Sequence, residues 1–379
     1  MISKKNHYTP RVCHYALPLG FLLLLFIPLG ITYAQKVPIH AIGIPLADHY
    51  AGIVAFEKYR DDMQYADYQL KILPGPELVR AYFRSESDAD IAFNVSPMVM
   101  DMFAKNPNFR WVSLIHRDGN VLAINEPLNA FVNLPLKKQQ RKPDRKIADA
   151  LSYFKKQLGS PIHCAIPSTL ATHTTILYKY LKDNNKKLGL HSGEEVDLLL
   201  RIVRPPKSPD YLKKQAALSQ PAAFEQSLPW AELVESNGYG YVGWYSKDVM
   251  KHKHGHVECV IIAKDSVIRN KREALKEVIR YIHQAGQDIE FARREGGQAM
   301  DEIVAMIRKH IPAHSKGAIL ESLRIDLNVI NYKNLNVDQN AKHSFREIME
   351  LAYEAGFIKQ KINIESLADE SFSTEVTQQ

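Results

Sequence analysis

Residues 39–46 (IHAIGIPL), 69–75 (QLKILPG) and 89–95 (ADIAFNV) decide the fold class. Each is a short apolar run that ends in a turn, and after each turn the apolar residues follow helical spacing. Strands that alternate with helices in this way build parallel α/β sheets, because parallel strands need a crossover connection, usually a helix, to join them. This part of the chain therefore predicts an α/β fold.

Polar side chains occupy the turns at two of these strands. Asp48 and His49 follow the first strand, and Asn94 and Ser96 lie at the end of the third. A parallel sheet binds its ligands at the carboxyl ends of its strands, where helix N-termini offer free N–H groups. We therefore expect these four residues to contact a ligand in a cleft. Asp48 and Ser96 also suit the N-cap of the following helix, which is a purely structural role.

The α/β pattern is repeated farther along the chain. Strand patterns at 160–166 (SPIHCAI) and 198–206 (LLLRIVRPP) alternate with helical patterns, and the apolar strand 257–266 (VECVIIAKDS) precedes an almost wholly helical tail. The polar, proline-containing segment 126–145 is interpreted as a boundary. This order predicts two lobes, with two crossings of the chain between them. The predicted divisions are a signal peptide at 1–34, a first lobe at 35–125 plus 257–379, and a second lobe at 126–256.

The first 34 residues have the pattern of a secretory signal. Lys4, Lys5 and Arg11 give a basic start, LPLGFLLLLFIPLGI at 17–31 is apolar, and Thr32-Tyr33-Ala34 resembles a cleavage site. The apolar stretch is short for a membrane span and contains two prolines, so an uncleaved anchor is the alternative interpretation. We expect a mature protein that is free in the periplasm.

Composition and charge narrow the class of protein. Hydrophobic residues make up 45% of the chain and charged residues 24%, as in globular proteins. The net charge of +7 falls to +4 without residues 1–34, which suits a small anion without requiring one. The basic run 137–146 has no interleaved aromatic residues and is interpreted as solvated, so no nucleic acid partner is predicted. Only Cys164 and Cys259 remain after cleavage, and their pairing is left open.

The second α/β set contributes a further group of candidate residues. Ser168 and Thr169 lie at the predicted start of a long helix, where N–H groups and the helix dipole favour negative charge. His173 on that helix is interpreted as structural. Glu225 ends a short predicted strand and either binds a ligand or caps the next helix. Trp230 belongs to an aromatic-rich stretch that is mostly core, of which one or two rings would line a cleft.

His252, His254 and His256 alternate, so a strand would put all three on one face. A zinc or copper site is the alternative to three exposed turn histidines, but lysines separate them and no nearby ligand completes a set. No nucleophile motif, phosphate-binding loop or metalloprotease motif is present. The sequence therefore predicts a binding protein without a cofactor, a resident metal or catalytic residues.

Several segments resemble the periplasmic substrate-binding proteins of ABC importers, in the branch that binds sulfonates, nitrate or bicarbonate, and thiamine precursors. They are GIPLADHYAGIVAFEKY (43–59), LPGPELVRAYFRSESDADIAFNVSP (73–97), VLAINE (121–126), VECVIIAKDSVIRNKREALKEVIRYI (257–282) and IMELAYEAGFIKQKINIESLADESF (348–372). The resemblance implies a two-lobe, type II-like Venus-flytrap fold with a helical C-terminal tail. It also implies a monomer that closes over a ligand and docks on a membrane permease with its ATPase.

The second lobe departs from the family pattern. Relatives have Glu-Pro-Trp or Glu-Pro-Phe where this chain has Glu225 and Trp230 separated by four residues, and the usual Gly-x-x-Asp-Ala is replaced at 219–223. We therefore expect a small polar ligand, with an anion such as a sulfonate, oxyanion or carboxylate favoured, whose identity the sequence does not give. The alternative is a sensor subunit that signals to a membrane receptor. The cysteine-rich motif of related pyrimidine synthases is absent, which disfavours an enzyme.

Overall fold

The computed structural model describes residues 1, 3, 5–7, 35–85, 88–191 and 193–373. The chain divides into two compact units, Met1–Gln35 and Lys36–Gln379, and the account below concerns the second. Most of the predicted signal peptide lies outside the described residues and stays a prediction. Within the described residues, no helix combines the length and the apolar character that a membrane crossing needs.

The strands form two larger sheets and one small one. In chain order they are β1 (Val37–Gly43), β2 (Ala66–Ile72), β3 (Ile91–Val95), β4 (Phe109–Leu114), β5 (Arg117–Asp118), β6 (Asn120–Ile124), β7 (Ile162–Ile166), β8 (Leu188–Gly189), β9 (Leu198–Ile202), β10 (Ala222–Ser227), β11 (Tyr241–Tyr245), β12 (Cys259–Lys264) and β13 (Ile330–Asn331). The first sheet has the order β2-β1-β3-β12-β4, the second β11-β6-β10-β7-β9-β8, and β13 pairs with β5.

Helices connect the strands and complete the tail. In chain order they are α1 (Tyr50–Tyr59), α2 (Pro76–Arg84), α3 (Ser96–Lys105), α4 (Glu126–Val132), α5 (Arg145–Leu158), α6 (Thr172–Asp183), α7 (Ser208–Ala217), α8 (Trp230–Ser236), α9 (Ser246–Val249), α10 (Asp265–Asn270), α11 (Arg272–Glu295), α12 (Gly297–His310), α13 (Lys316–Ser322), α14 (Gln339–Glu354) and α15 (Ile364–Leu367). Short 3₁₀ turns lie at Ala47–His49, Lys138–Gln140 and Pro205–Lys207.

Both sheets are mixed, with a parallel centre. In the first sheet β1 is parallel to β2 and β3, whereas β12 is antiparallel to β3 and β4. In the second sheet β7 is parallel to β9 and β10, whereas β6 is antiparallel to β10 and β11. Every residue of β3 and β10 is buried, as expected for central strands covered by helices on both faces. The predicted α/β class with two lobes is confirmed.

The chain crosses between the two sheets twice. It leaves the first sheet after β4 and enters the second at β6, and it returns after β11 and α9 to β12. The predicted boundary at 125/126 leaves Asn120–Ile124 in the first lobe, although this strand pairs in the second sheet. The crossing therefore begins before residue 120, because the connection from β4 to β6 is short. The other limits of the two lobes stay a prediction.

The basic run 137–146 is not a uniformly solvated loop. The Arg141 side chain is only 4% exposed, donates to both carboxylate oxygens of Glu235, and donates to the carbonyl of Val242 in β11. The Lys138 ammonium is 2.5 Å from a carboxylate oxygen of the buried Glu232. The interpretation of this run as solvated is therefore wrong for these two residues, since both bind the second sheet and its helix α8.

Candidate functional site

The two crossings run side by side and are bonded to each other. The backbone N–H of Asp118 donates to the carbonyl of His256 at 3.1 Å, and the N–H of His256 donates to Asp118 Oδ1 at 2.9 Å. Arg117 and Val257 form an antiparallel bridge between the same segments. Paired crossings between two sheets are where a hinge would lie, since few other backbone segments join the two halves.

A cluster of four buried polar side chains lies beside these crossings: Asp48, His116, Glu258 and Cys259, each 0% exposed. His116 Nε2 is 3.1 Å from Glu258 Oε2 and 3.7 Å from Asp48 Oδ2. The Cys259 thiol is 3.8 Å from Asp48 Oδ2. One ligand atom from each residue lies within 4.8 Å of the others. We call these four residues the crossing cluster.

The second sheet contributes the groups that cover the crossing cluster. Ser227, at the end of β10, donates its hydroxyl proton to Asp48 Oδ2 at 2.6 Å. His173 of α6 is hydrogen-bonded through Nε2 to the Ser227 hydroxyl, also at 2.6 Å, and its Nδ1 is 3.4 Å from Glu258 Oε1. Because Asp48 belongs to the first lobe and Ser227 to the second, this network joins the two halves at the site.

Burial sets the charge of the cluster in the ligand-free protein. Burial and the neighbouring Glu258 raise the pKa of Asp48 to about 8, although His116 opposes the shift. Burial raises the pKa of Glu258 to about 7. Burial also lowers the pKa of His116, and it lowers that of His173 to about 3. At neutral pH these histidines are therefore neutral and Asp48 is protonated, because isolated charge is costly at a buried site.

Gly119 gives the cluster its close packing. Its φ of +100° is in the region that favours glycine, and a Cβ there would meet Asp48 Oδ1 at 3.2 Å and His116 Cε1 at 3.4 Å. The sequence thus has glycine where the first crossing turns tightly and passes directly over two polar side chains.

The predicted residues of the first lobe are all buried, with differing contacts. Asp48 is in the crossing cluster. His49 Nδ1 bonds to the backbone of Ile44 within its own turn, whereas Asn94 accepts from the N–H of Val95 through Oδ1. Ser96 is the first residue of α3 and not its N-cap, contrary to the prediction. Its N–H and hydroxyl both donate to the carbonyl of Glu258.

The predicted residues of the second lobe are more dispersed. Ser168 does not cap α6, which begins four residues later, and its hydroxyl instead donates to Glu77 of the first lobe at 2.8 Å. Thr169 beside it is partly exposed. Glu225 lies within β10 and is fully buried, whereas Trp230 donates from Nε1 to the carbonyl of Pro45 at 3.1 Å. Ser168 and Trp230 therefore contact the first lobe directly.

The three alternating histidines do not share one environment. His256 is fully buried and hydrogen-bonded through Nε2 to the hydroxyl of Ser246, contrary to the expectation of an exposed turn residue. His252 Nε2 lies 3.0 Å from a carboxylate oxygen of Glu347. Their different partners do not support the predicted alternative of a shared metal site. Cys164 and Cys259 are both free thiols.

Sequence reasoning missed His116, Glu258 and Cys259. Each lies at the end of a strand that the sequence does indicate, but the candidate search was confined to strand ends followed by a helix start. The useful signal was the double crossing itself. A segment that joins two lobes borders the cleft between them, so the polar residues at both ends of the crossings were candidates.

A family model described as the NMT1-like family matches residues 44–305, well over half of the chain. The chain belongs to the NMT1-like family. The matched range includes both crossings and all four residues of the crossing cluster. The sequence has no significant match among curated proteins.

Solved structures share the fold at low sequence identity. The periplasmic nitrate-binding protein NrtA from Synechocystis matches with a TM-score of 0.72 and 14% identity, over 91% of this chain and 89% of that one. The ligand-binding component of an ABC-type import system from Staphylococcus aureus, with zinc bound, gives 0.68 and 15%, over 91% and 100%. The alkanesulfonate-binding protein SsuA from Xanthomonas axonopodis, bound to MOPS, gives 0.63 and 9%, over 89% and 99%. The chain has the two-lobe fold of these binding proteins.

Proposed function

We propose that this chain is the extracytoplasmic solute-binding subunit of an ABC uptake system and captures a small polar ligand between its two lobes. The observation that carries the proposal is the buried polar junction between the sheets, where side chains of both lobes meet around the crossing cluster. The fold shared with import-system binding proteins supports it. In this proposal the chain acts as a monomer and is not an enzyme.

Unpaired buried atoms support a ligand at this junction. Among the described residues, Asp48 Oδ1, His49 Nε2 and Asn94 Nδ2 have no hydrogen-bond partner, and neither carboxylate oxygen of Glu225 has one. A buried polar group without a partner costs about 1–3 kcal/mol. A polar solute that donates to some of these atoms and accepts from others would remove that cost, so the junction is suited to one.

Contacts across the cleft support capture by closure. The N–H of Ala47 donates to the carbonyl of Leu228 at 2.7 Å, and Trp230 and Ser168 also bond to the opposite lobe. Contacts of this kind exist only when the two lobes are together. A ligand that touches both lobes binds the closed form more tightly, and it therefore shifts the population toward that form.

The ligand class is proposed from the neighbours and from the donors present. NrtA is a nitrate-binding protein and SsuA an alkanesulfonate-binding protein, which favours an anion here. Neutral histidines, hydroxyls and protonated carboxyls would donate to it. The crossing cluster also contains two carboxyl groups that would repel an anion when ionised, so its charge state decides between ligand classes.

Location and partners follow from the same proposal. The pattern of residues 1–34 would direct the chain out of the cytoplasm, where it would release its ligand to a membrane permease driven by an ATPase. Genes for a permease and an ATPase beside this gene would support uptake. A receptor kinase gene in that place would favour the sensor alternative.

A thermal-shift screen tests the proposal. Residues 35–379 would be heated with nitrate, sulfonates, carboxylates and pyrimidines, and a ligand at a hundred times its Kd should stabilise the protein by roughly 2.7 kcal/mol. His49→Ala and Ser168→Ala should each reduce the shift without unfolding the protein. Ser152→Ala is the matched control, because that hydroxyl bonds to Asp197 within the second lobe. If no small polar compound, including the metal ions considered below, raises the melting temperature, the proposal is wrong.

A further inference from the structure

The crossing cluster has the spacing of a metal site. Bond lengths of about 2.0–2.3 Å to zinc put neighbouring ligands of a tetrahedral site about 3.3–3.8 Å apart. Three distances within the cluster fall at or near this range: 3.1 Å from His116 to Glu258, 3.7 Å from His116 to Asp48, and 3.8 Å from Cys259 to Asp48. Small side-chain movements would therefore bring all four ligand atoms onto one ion.

The chemistry of the four donors selects among metals. Imidazole and thiolate are ligands of zinc and related transition metals, whereas calcium and magnesium sites use oxygen ligands throughout. A mixed set of one His, one Cys and two carboxylates therefore favours a zinc-class divalent ion. Such a set lacks the all-oxygen shell that would favour magnesium.

Two independent observations show that the cluster is arranged around a point in space. Asp48 Oδ1 is fully buried and has no hydrogen-bond partner among the described residues, so one of its oxygens is left without a partner. The other oxygen, Oδ2, accepts from Ser227, whose hydroxyl is in turn bonded to His173. Hydrogen bonds to ligating carboxylates are typical of metal sites, where they fix the orientation of the ligands.

We propose that Asp48, His116, Glu258 and Cys259 bind a zinc-class divalent metal ion, which is the solute that this cleft captures. The inference rests on the proposed solute-binding function and names the ligand class that the crossing cluster selects. All four ligands come from the first lobe or from the crossings, whereas Ser227 and His173 come from the second. The ion therefore binds the open form first, and closure then adds the hydrogen bonds that orient Asp48.

Metal titration of the chelator-treated mature protein, residues 35–379, tests the proposal. Isothermal titration with Zn²⁺ and metal analysis after dialysis should give one ion per chain. His116→Ala should weaken binding about a hundredfold or more, since even residues that only support metal ligands account for 10–100-fold. With Co²⁺ as the probe, the wild type should show a thiolate-to-cobalt absorption band that Cys259→Ser lacks.

Two matched variants keep the test specific. Cys164→Ala removes the other buried thiol, which lies in β7 and not in the cluster, and His252→Ala removes a histidine of the turn. Both should bind zinc like the wild type. Circular dichroism must show that His116→Ala and Cys259→Ser are folded, and the Co²⁺ band of folded Cys164→Ala must persist.

The outcomes separate this inference from the broader function. If the folded wild type binds no zinc, or if His116→Ala and Cys259→Ser bind it unchanged, the metal site is wrong. A thermal shift with an anion in metal-free protein would then leave the solute-binding function standing with a different ligand. If neither metal nor any polar solute binds, both proposals fail.

Discussion

Glu225 shows how strongly a single residue of this cleft depends on what surrounds it. It is fully buried within β10, and neither of its carboxylate oxygens has a hydrogen-bond partner among the described residues. Burial, and in second place the negative charge of Glu258, raise the pKa of Glu225 well above its ordinary value. The folded protein therefore holds a proton on Glu225 at pH values where the unfolded chain has released it.

Glu225→Gln should change the pH dependence of stability. Because the folded pKa is raised, the stability that protonated Glu225 allows is complete below about pH 4.5 and is lost as the pH rises toward the folded pKa. The stability of the ligand-free wild type should therefore fall relative to Glu225→Gln by up to about 1.4 kcal/mol per pH unit above pH 4.5. Urea unfolding at a series of pH values measures the difference.

Glu354 is the control of opposite sign for this experiment. The Lys182 ammonium lowers the pKa of this exposed carboxyl, so Glu354→Gln should show no growing advantage over the wild type as the pH rises. Parallel curves for wild type and Glu225→Gln would mean that Glu225 is ionised or paired in the folded protein.

The segment between α4 and α5 shows how an element without regular structure is fixed in place. Its Arg141 side chain donates to the carbonyl of Pro135 in the same segment, to Glu235 of α8 and to Val242 of β11. One buried guanidinium thus bonds the loop, a helix and a strand together. The planar fork of arginine suits this role, since lysine does not offer five fixed donors.

Arg141→Ala should destabilise the protein by about 3 kcal/mol or more, because it leaves Glu235 and two carbonyls without their partner. Arg145→Ala is the matched control. The Arg145 side chain is 71% exposed and pairs with Asp149 on the surface, so its loss should cost no more than about 1 kcal/mol. Chemical denaturation of both variants measures the difference, and equal losses would contradict the role given to Arg141.

Elements were predicted well where the local pattern was sufficient. The strands at β1, β3, β7 and β12 and the helical tail all follow from apolar spacing and turn residues. The starts of α3 and α6 did not, because Ser96 and Ser168 use their hydroxyls for partners far away in the sequence, Glu258 and Glu77. A side chain that suits an N-cap is diverted when tertiary structure offers another acceptor, and one sequence does not show that acceptor.

The candidate site was predicted only in part because it is assembled by the fold of the whole chain. Asp48 was predicted from its own strand end, but His116 and Glu258 lie 142 residues apart, and Asp48 and Cys259 lie 211 apart. These residues meet only because the chain leaves the first lobe and returns to it. No local pattern encodes that meeting, whereas the topology of two crossings does.

Opening of the two lobes should respond to Trp230, which bonds to Pro45 of the first lobe through Nε1. Trp230→Phe keeps a ring in place and removes this hydrogen bond, which is worth about 0.5–1.5 kcal/mol. The open form of the ligand-free protein should therefore become about 2–12 times more populated relative to the closed form, and small-angle scattering should show a larger radius of gyration. Trp111→Phe is the control, because its Nε1 bonds to Ser113 within β4 of the first sheet. An equal increase in both variants would show that loosened packing, and not release of the closed state, is the cause.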